Sequence, residues 1–377
     1  MPHIDMRKSG LDNRRMSPSA AMQQLYDTPE ADLLAEIRQL RARIGERVLI
    51  LGHHYQREEV IAFADVTGDS LKLAQLAAQT DAPYIIFCGV HFMAETADVL
   101  TSDAQTVLLP DLAAGCSMAD MADTEQVLRC WAELSEVISP DETVTPVTYI
   151  NSTAALKSFC GEHGGIVCTS GNAQKVLEWS WGNREKILFF PDQHLGENTA
   201  LAMGVPDSDM ILWDPAQPLG GNTPQAIEKA RLILWKGFCS VHQLFRPEHA
   251  SAMRDKHPGI EILAHPECSR AVCETSDFVG STEAIIQYVN AATDGQAFAI
   301  ATELNLVNRL RLQHPEHAIY FLSPTVCMCS TMFRTDPQHL LAALREVDAD
   351  HAAHPIRVSK TDRRWARLSL ERMLNLA

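Results

Sequence analysis

The sequence predicts an α/β protein of three similar α/β/α three-layer units with parallel sheets, in a pseudo-threefold arrangement around a central active site. Three observations predict it. Runs that are apolar almost throughout alternate with helical stretches, which is the pattern of a parallel sheet covered on both faces. The alternation repeats three times, and in each copy the polar clusters fall where the runs end. Ligands in such sheets sit beyond the carboxyl ends of the strands, so three units about a shared axis would bring the clusters into one cavity.

The elements follow in order. In the first copy, the run 47–52 ends in His53, His54 and Tyr55, and the turn Gly68, Asp69, Ser70 opens a helix. A second run, 84–88, leads to Glu95, and a third, around Val107, precedes Cys116. In the second copy the run 146–150 ends at Asn151 and Ser152, and the turn 168–172 contains Ser170. The run 187–190 then leads to Asp192 and Glu197, and the run 210–213 precedes Cys239. In the third, the run 260–264 ends at His265 and Glu267, the turn 279–283 contains Ser281 and Thr282, the run 297–301 ends at Thr302 and Glu303, and the run 319–322 precedes Cys329. Taking His53, Asn151 and His265 as counterparts, the turn serines follow after 17, 19 and 16 residues, and the cysteines after 63, 88 and 64. The middle copy therefore carries an insertion of about 25 residues, placed near 206–230 and most plainly at the Pro- and Gly-rich 215–224.

The resulting organisation is an N-terminal extension over 1–45, units at 46–142, 143–257 and 258–348, and a C-terminal packing segment over 349–377. A helix over 336–347 is expected to cover the third unit. Another over 361–376 has Trp365, Leu368, Leu370, Met373 and Leu374 on one face, which marks it for packing.

The chain of 377 residues is too long for one small module. At 46% hydrophobic and 21% charged residues it has the composition of a folded protein. Thirty-two basic against forty-eight acidic residues give a net charge of −16, the wrong sign for nucleic acid or an anionic membrane surface. No apolar run reaches 18 residues, and residues 1–25 have no apolar stretch of a secretory signal, so a cytoplasmic protein with reduced thiols is expected.

Position separates the ten cysteines. Cys116, Cys239 and Cys329 share one address, the loop after the third run of each copy. Threefold convergence would aim three thiolates at one point, too few for a closed structural zinc site and suited to an iron–sulfur cluster with one iron open. Cys88, Cys130, Cys160 and Cys168 read as inert core. A competing zinc site from Cys268, Cys273, Cys327 and Cys329 is weaker, because no C-x-x-C spacing occurs.

Ser70, Ser170 and the Ser281, Thr282 pair each offer a hydroxyl and free N–H groups at a helix start. One such turn is usually an ordinary cap; three at matching positions point to a substrate with several negative groups. Neither G-x-G-x-x-G after a strand nor a P-loop occurs, so no dinucleotide or nucleoside triphosphate is indicated. His53, His54, Tyr55, Tyr149, Asn151, His242, His265 and Glu267 make up the proton-transfer inventory. Glu267 suits a general base if burial raises its pKa. The alternatives left by the residues are a cluster-dependent dehydratase of a small polycarboxylate and a cluster-binding redox sensor without turnover.

Over 47–374 the chain resembles the quinolinate synthase A family of NAD biosynthesis. The resemblance rests on His53-x-Tyr55-Gln56, Gly68-Asp69-Ser70, Gly115-Cys116-Ser117-Met118-Ala119, Tyr149-x-Asn151-Ser152-Thr153, Cys168-Thr169-Ser170-Gly171-Asn172, Gly237-Phe238-Cys239-x-x-His242, His265-Pro266-Glu267-Cys268, Gly280-Ser281-Thr282-Glu283 and Cys329-x-x-Met332. It implies a [4Fe–4S] cluster held by Cys116, Cys239 and Cys329, its fourth iron a Lewis acid. Iminoaspartate and dihydroxyacetone phosphate would condense to quinolinate, phosphate and water, and the enzyme supplying iminoaspartate is a candidate partner. By the same resemblance His53 and Ser70 would hold one carboxylate and Ser170 the second, while Tyr149 and Asn151 would meet the reacting carbons. His242, Ser281 and Thr282 would grip phosphate or carboxylate, Tyr55 would move a proton, and Glu267 with His265 would do acid–base work.

Overall fold

In the computed structural model, which describes residues 20–326 and 328–376, three separate sheets carry the chain. The first contains β1 (Val48–His53), β2 (Val66–Gly68), β3 (Tyr84–Cys88) and β4 (Thr106–Leu108). The second contains β5 (Val144–Tyr149), β6 (Ile166–Cys168), β7 (Lys186–Phe190), β8 (Met210–Trp213) and β9 (Leu232–Trp235). The third contains β10 (Glu261–Ala264), β11 (Phe278–Val279), β12 (Ala297–Ala301) and β13 (Ala318–Phe321). The short β14 (Pro355–Ile356) returns to the first sheet, whose order is β14-β4-β3-β1-β2; the others run β6-β5-β7-β9-β8 and β11-β10-β12-β13. Every pairing is parallel except β14 with β4. The central strands are buried along nearly their whole length, as helices on both faces require.

One four-strand motif thus recurs three times, and the middle copy holds an extra edge strand. That strand is β8, so the expectation that 210–213 is the third run of the second copy is overturned. The strand beside β7 and ahead of Cys239 is β9. β8 begins the inserted stretch, which continues through a 3-10 turn, Pro218–Gly221, and the helix Pro224–Lys229.

Register also corrects the alignment of the copies. Gly52 pairs with Cys88, Thr148 with Phe190 and Ala264 with Ala301, and each of those partners stands three residues before a ten-residue helix, His91–Leu100, Gln193–Ala202 or Leu304–Gln313. The residues following Gly52, Thr148 and Ala264 are His53, Tyr149 and His265. The counterpart of His53 is therefore Tyr149 rather than Asn151, and Tyr55, Asn151 and Glu267 share the position two residues on.

The first and last described helices belong to the packed core. Leu25 of the helix Ala20–Tyr26 and Leu33, Ile37, Leu40 and Ile44 of the helix Glu30–Ile44 share a cluster with Val48, Ile50 and Ile86, so this part of the expected extension covers the first sheet; residues 1–19 lie outside the described residues. The helix Pro337–Asp348 joins the same cluster through Leu340, Leu341, Leu344 and Val347. Its stripe covers the first unit, not the third as its place in sequence suggested. The last helix, Lys360–Leu374, lies against the helix Ala154–Glu162 so closely that a Cβ on Gly161 would stand 1.9 Å from the carbonyl oxygen of Trp365.

Candidate active site

A cavity of about 70 Å³ opens where the three sheets point their carboxyl ends at one another. His53, Tyr55, Ser70, Tyr149, Asn151, Ser170, His242, His265, Glu267, Thr282, Cys116, Cys239 and Cys329 all line it. Ser281 does not. Its hydroxyl caps the helix Thr282–Asn290 by accepting from the Ala284 N–H at 3.2 Å, and it faces a neighbouring groove between the second and third sheets. Ser70 is freed from capping because Asp69 accepts from the Lys72 N–H at 3.0 Å.

His53 and His265 are held alike. The N–H of Tyr55 donates to His53 Nδ1 at 3.1 Å, and that of Glu267 to His265 Nδ1 at 3.3 Å. An Nδ1 that accepts leaves the ring proton on Nε2, so each ring presents an N–H donor. Burial holds both pKa values down to about 3, which keeps the rings neutral. His265 Nε2 lies 3.2 Å from Ser170 Oγ, pairing two donors from different units.

A chain of polar contacts crosses the cavity. Tyr149 donates its hydroxyl to Glu267 Oε1 at 2.6 Å, and the other carboxylate oxygen stands 2.8 Å from His242 Nδ1. His242 stacks on His265 at 4.8 Å and reaches Thr302 Oγ1 through Nε2 at 3.3 Å. Thr302 Oγ1 in turn is 2.9 Å from the Tyr55 hydroxyl, which lies 3.0 Å from Thr282 Oγ1. Burial pushes both tyrosines well above their ordinary pKa, and the charge of Glu267 adds to it, so both are proton donors. Asn151 Oδ1 is buried without a partner, an acceptor turned toward nothing in the chain.

The expectation of a raised Glu267 pKa is not met. Burial does press the carboxyl upward, but nearby His242 and His265, with the Tyr149 hydroxyl, hold it down at about 2. Glu267 is a carboxylate stabilised by its neighbours, not a carboxyl made basic by isolation.

Sequence reasoning gave no role to Thr302 or Glu303, although both were visible at the end of the β12 run. Thr302 Oγ1 bridges His242 and the Tyr55 hydroxyl. Glu303 is fully buried, and burial raises its pKa to about 7; its side chain accepts the N–H of Asn305 at 2.7 Å and lies 3.4 Å from the Cys329 N–H.

The three cysteines are free thiols. Burial raises Cys116 to about 12, with the nearby Cys329 contributing, and raises Cys239 in the same sense, with Glu267 and Cys116 contributing. Such thiols lose their protons only to a metal. The Cys239 sulfur also lies within 4.8 Å of ligand atoms of His242 and Glu267. Cys268 and Cys273 point instead at backbone carbonyls behind the His265 loop, and with Cys329 they form no ligand group among the described residues. Cys327 lies outside the described residues. Cys88, Cys130, Cys160 and Cys168 are wholly buried in the cores.

A family profile described as "Quinolinate synthetase A protein" matches residues 35–375. The chain belongs to the quinolinate synthase family. It is 51% identical to the quinolinate synthase of Rhodopirellula baltica over 362 residues, 93% of this chain and 92% of that one. It is 52% identical to that of Nocardioides sp. over 361 residues, 93% and 91% of the two chains. With that of Corynebacterium glutamicum it shares 51% over 346 residues, 92% and 88%. Quinolinate synthase activity, a step of NAD biosynthesis, is thereby the function of this enzyme, and a sensor without turnover is set aside. Among the described residues no helix is long and apolar enough to cross a membrane.

Proposed function

We propose that the cavity condenses iminoaspartate with dihydroxyacetone phosphate to quinolinate, phosphate and water, in the cytoplasm, with a [4Fe–4S] cluster held by Cys116, Cys239 and Cys329. The observation that carries it is the convergence of one thiol from each unit on a cavity that also holds the neutral donors of His53, His265, Ser70 and Ser170 and the Glu267 carboxylate. When bound, such a cluster with one iron open supplies a Lewis acid for a departing or carbonyl oxygen.

The chain's own groups do the rest. Among the described residues no lysine or arginine lines the cavity, so carboxylates are gripped by the Nε2–H groups of His53 and His265 and the hydroxyls of Ser70 and Ser170. Asn151 Oδ1 suits the N–H of an imine. Tyr149 and Glu267 form a donor and acceptor pair at the reacting carbons. A substrate that draws the Tyr149 hydroxyl away removes one of the groups holding the carboxylate's pKa low, and Glu267 becomes a stronger base when the substrate is in place. His242 Nδ1 stands beside that carboxylate without hydrogen-bond geometry, so a proton passes on to Thr302 and Tyr55 only if the His242 ring turns toward it. His242 and Thr282 remain for phosphate. The enzyme that supplies iminoaspartate is a candidate partner.

Anaerobic iron and sulfide analysis tests the cluster directly. Four of each per chain are expected in the parent protein, and Cys116→Ala, Cys239→Ala and Cys329→Ala should each lose both the cluster absorbance and turnover. A variant that keeps a full cluster removes its cysteine from the ligand set. Glu267→Gln should retain the cluster and lose most of the rate.

A further inference from the structure

The three ten-residue helices that follow β3, β7 and β12 do more than cover their own sheets. The sixth residue of the helix Gln193–Ala202 is Asn198, and its side-chain amide crosses to the third unit, where it donates to the carbonyls of Pro266 and Cys268, both at 2.9 Å. Those carbonyls flank Glu267. The sixth residue of the helix Leu304–Gln313 is Arg309, which crosses to the first unit and donates to the carbonyls of His54 at 3.0 Å and Gln56 at 2.9 Å. Those carbonyls flank Tyr55. Glu267 and Tyr55 occupy equivalent positions two residues after His265 and His53, so the two contacts are one device used twice.

We infer that Asn198 and Arg309 are positioning residues: each fixes the loop of the following unit by bridging the carbonyls on either side of a proton-handling side chain. Two donors on one rigid group, accepted by carbonyls i−1 and i+1, fix the peptide planes around residue i and so set where its side chain leaves the backbone. Neither residue lines the central cavity, which separates them from the groups that touch substrate. The third junction is closed differently. Its helix, His91–Leu100, has Thr96 at the sixth position, and the Thr96 hydroxyl is taken by the Phe92 carbonyl of the same helix. The Ser152 carbonyl, which follows Asn151, is held by Lys157 of its own unit. Glu95 still crosses the junction, accepting the Ala154 N–H at 3.0 Å.

The part concerning Asn198 rests on the proposed role of Glu267, and its test separates the two. Steady-state rates would be measured anaerobically on the cluster-loaded full chain for Asn198→Leu, Glu267→Gln and the double variant. Leu keeps the branched outline of Asn198, is larger, and removes both donors. A displaced reacting group can cost on the order of 100-fold, so Asn198→Leu should lower kcat by roughly 10- to 100-fold. KM for both substrates and iron content should stay near parent values, and the thermal midpoint should fall by no more than the loss of two hydrogen bonds explains. Because Asn198 acts through Glu267, the double variant should be no slower than Glu267→Gln alone. A parent-like kcat in Asn198→Leu, or losses that multiply in the double variant, overturns the clamp. A parent-like rate in Glu267→Gln overturns the role of that carboxylate, leaving Asn198→Leu alone to decide whether the loop is positioned. Should Asn198→Leu fail to fold, Asn198→Asp keeps the shape and sets an acceptor against both carbonyls; full kcat there overturns the clamp equally.

Discussion

Lys157 is completely buried in the helix Ala154–Glu162, its ammonium donating to the Ser152 carbonyl and lying 5.5 Å from the Phe92 ring. Burial lowers its pKa from 10.5 to about 8, against the weaker pull of Glu95. For a base lowered in the folded state, the unfolded chain binds more protons between the two values, so stability rises as pH climbs from about 8 to 10.5. Below that window the folded protein carries a buried charge that costs about 3 kcal/mol relative to the neutral amine. Lys157→Met keeps the apolar stem and removes this cost, while stranding the Ser152 carbonyl at about 1–3 kcal/mol. At pH 7 the first effect equals or exceeds the second, so the variant should be as stable as the parent or more stable by up to about 2 kcal/mol. By pH 10 the parent keeps only about 1 kcal/mol of its penalty, so the variant should lose about 2–3 kcal/mol relative to the parent between pH 7 and pH 10. Urea unfolding of both proteins across pH 7–10 measures this, and taking the difference removes every group the two share. Parallel stability curves would refute the reasoning.

Other substitutions follow from the same geometry. Tyr149→Phe removes the 2.6 Å donation to Glu267 and should lower kcat by roughly 100-fold or more with the cluster retained; steady-state assay within about threefold of the parent would sink it. Gly237→Ala places a Cβ 2.2 Å from the Pro191 carbonyl and must shift the segment that leads into Cys239, so iron bound per chain should fall. Gly161→Ala wedges apart the helices Ala154–Glu162 and Lys360–Leu374 and should lower stability by about 1–3 kcal/mol in urea, with iron content unchanged.

The threefold repeat, the cavity and its polar wall were legible because a parallel strand buried on both faces is apolar until it ends, so the first polar residues mark the carboxyl end. Which strand stands where was less legible. Met210-Ile-Leu-Trp213 and Leu232-Ile-Leu-Trp235 are nearly the same word, yet the second is buried throughout beside β7 while Leu212 of the first is exposed at the edge. Only the tertiary neighbour decides that. The apolar stripe of the helix Pro337–Asp348 likewise says that it is buried, not against which unit. Ser281 and Ser170 present the same small-residue turn, and capping geometry alone sends one hydroxyl to a backbone N–H and the other to His265. The acidity of Glu267 depends on His242 and Tyr149, which are distant in sequence, so no local pattern could carry it.

The register between the copies explains how a threefold frame can serve a reaction with no symmetry. At the first of two equivalent positions stand His53, Tyr149 and His265, and each presents a donor: two Nε2–H groups and a phenol. At the second stand Tyr55, Asn151 and Glu267, which differ in kind: a hydroxyl tied to Thr282 and Thr302, an unpartnered amide oxygen, and a carboxylate. The donor ring suits what the proposed substrates share, namely anionic oxygens. The second ring suits what distinguishes them, an imine N–H in one and protons to be moved along the carbon skeleton of the other. On the proposed function, repetition supplies the grip, and divergence at one position two residues further on supplies the chemistry. The same division places the need for fixed geometry at the second position, which is where the carbonyls bridged by Asn198 and Arg309 are found.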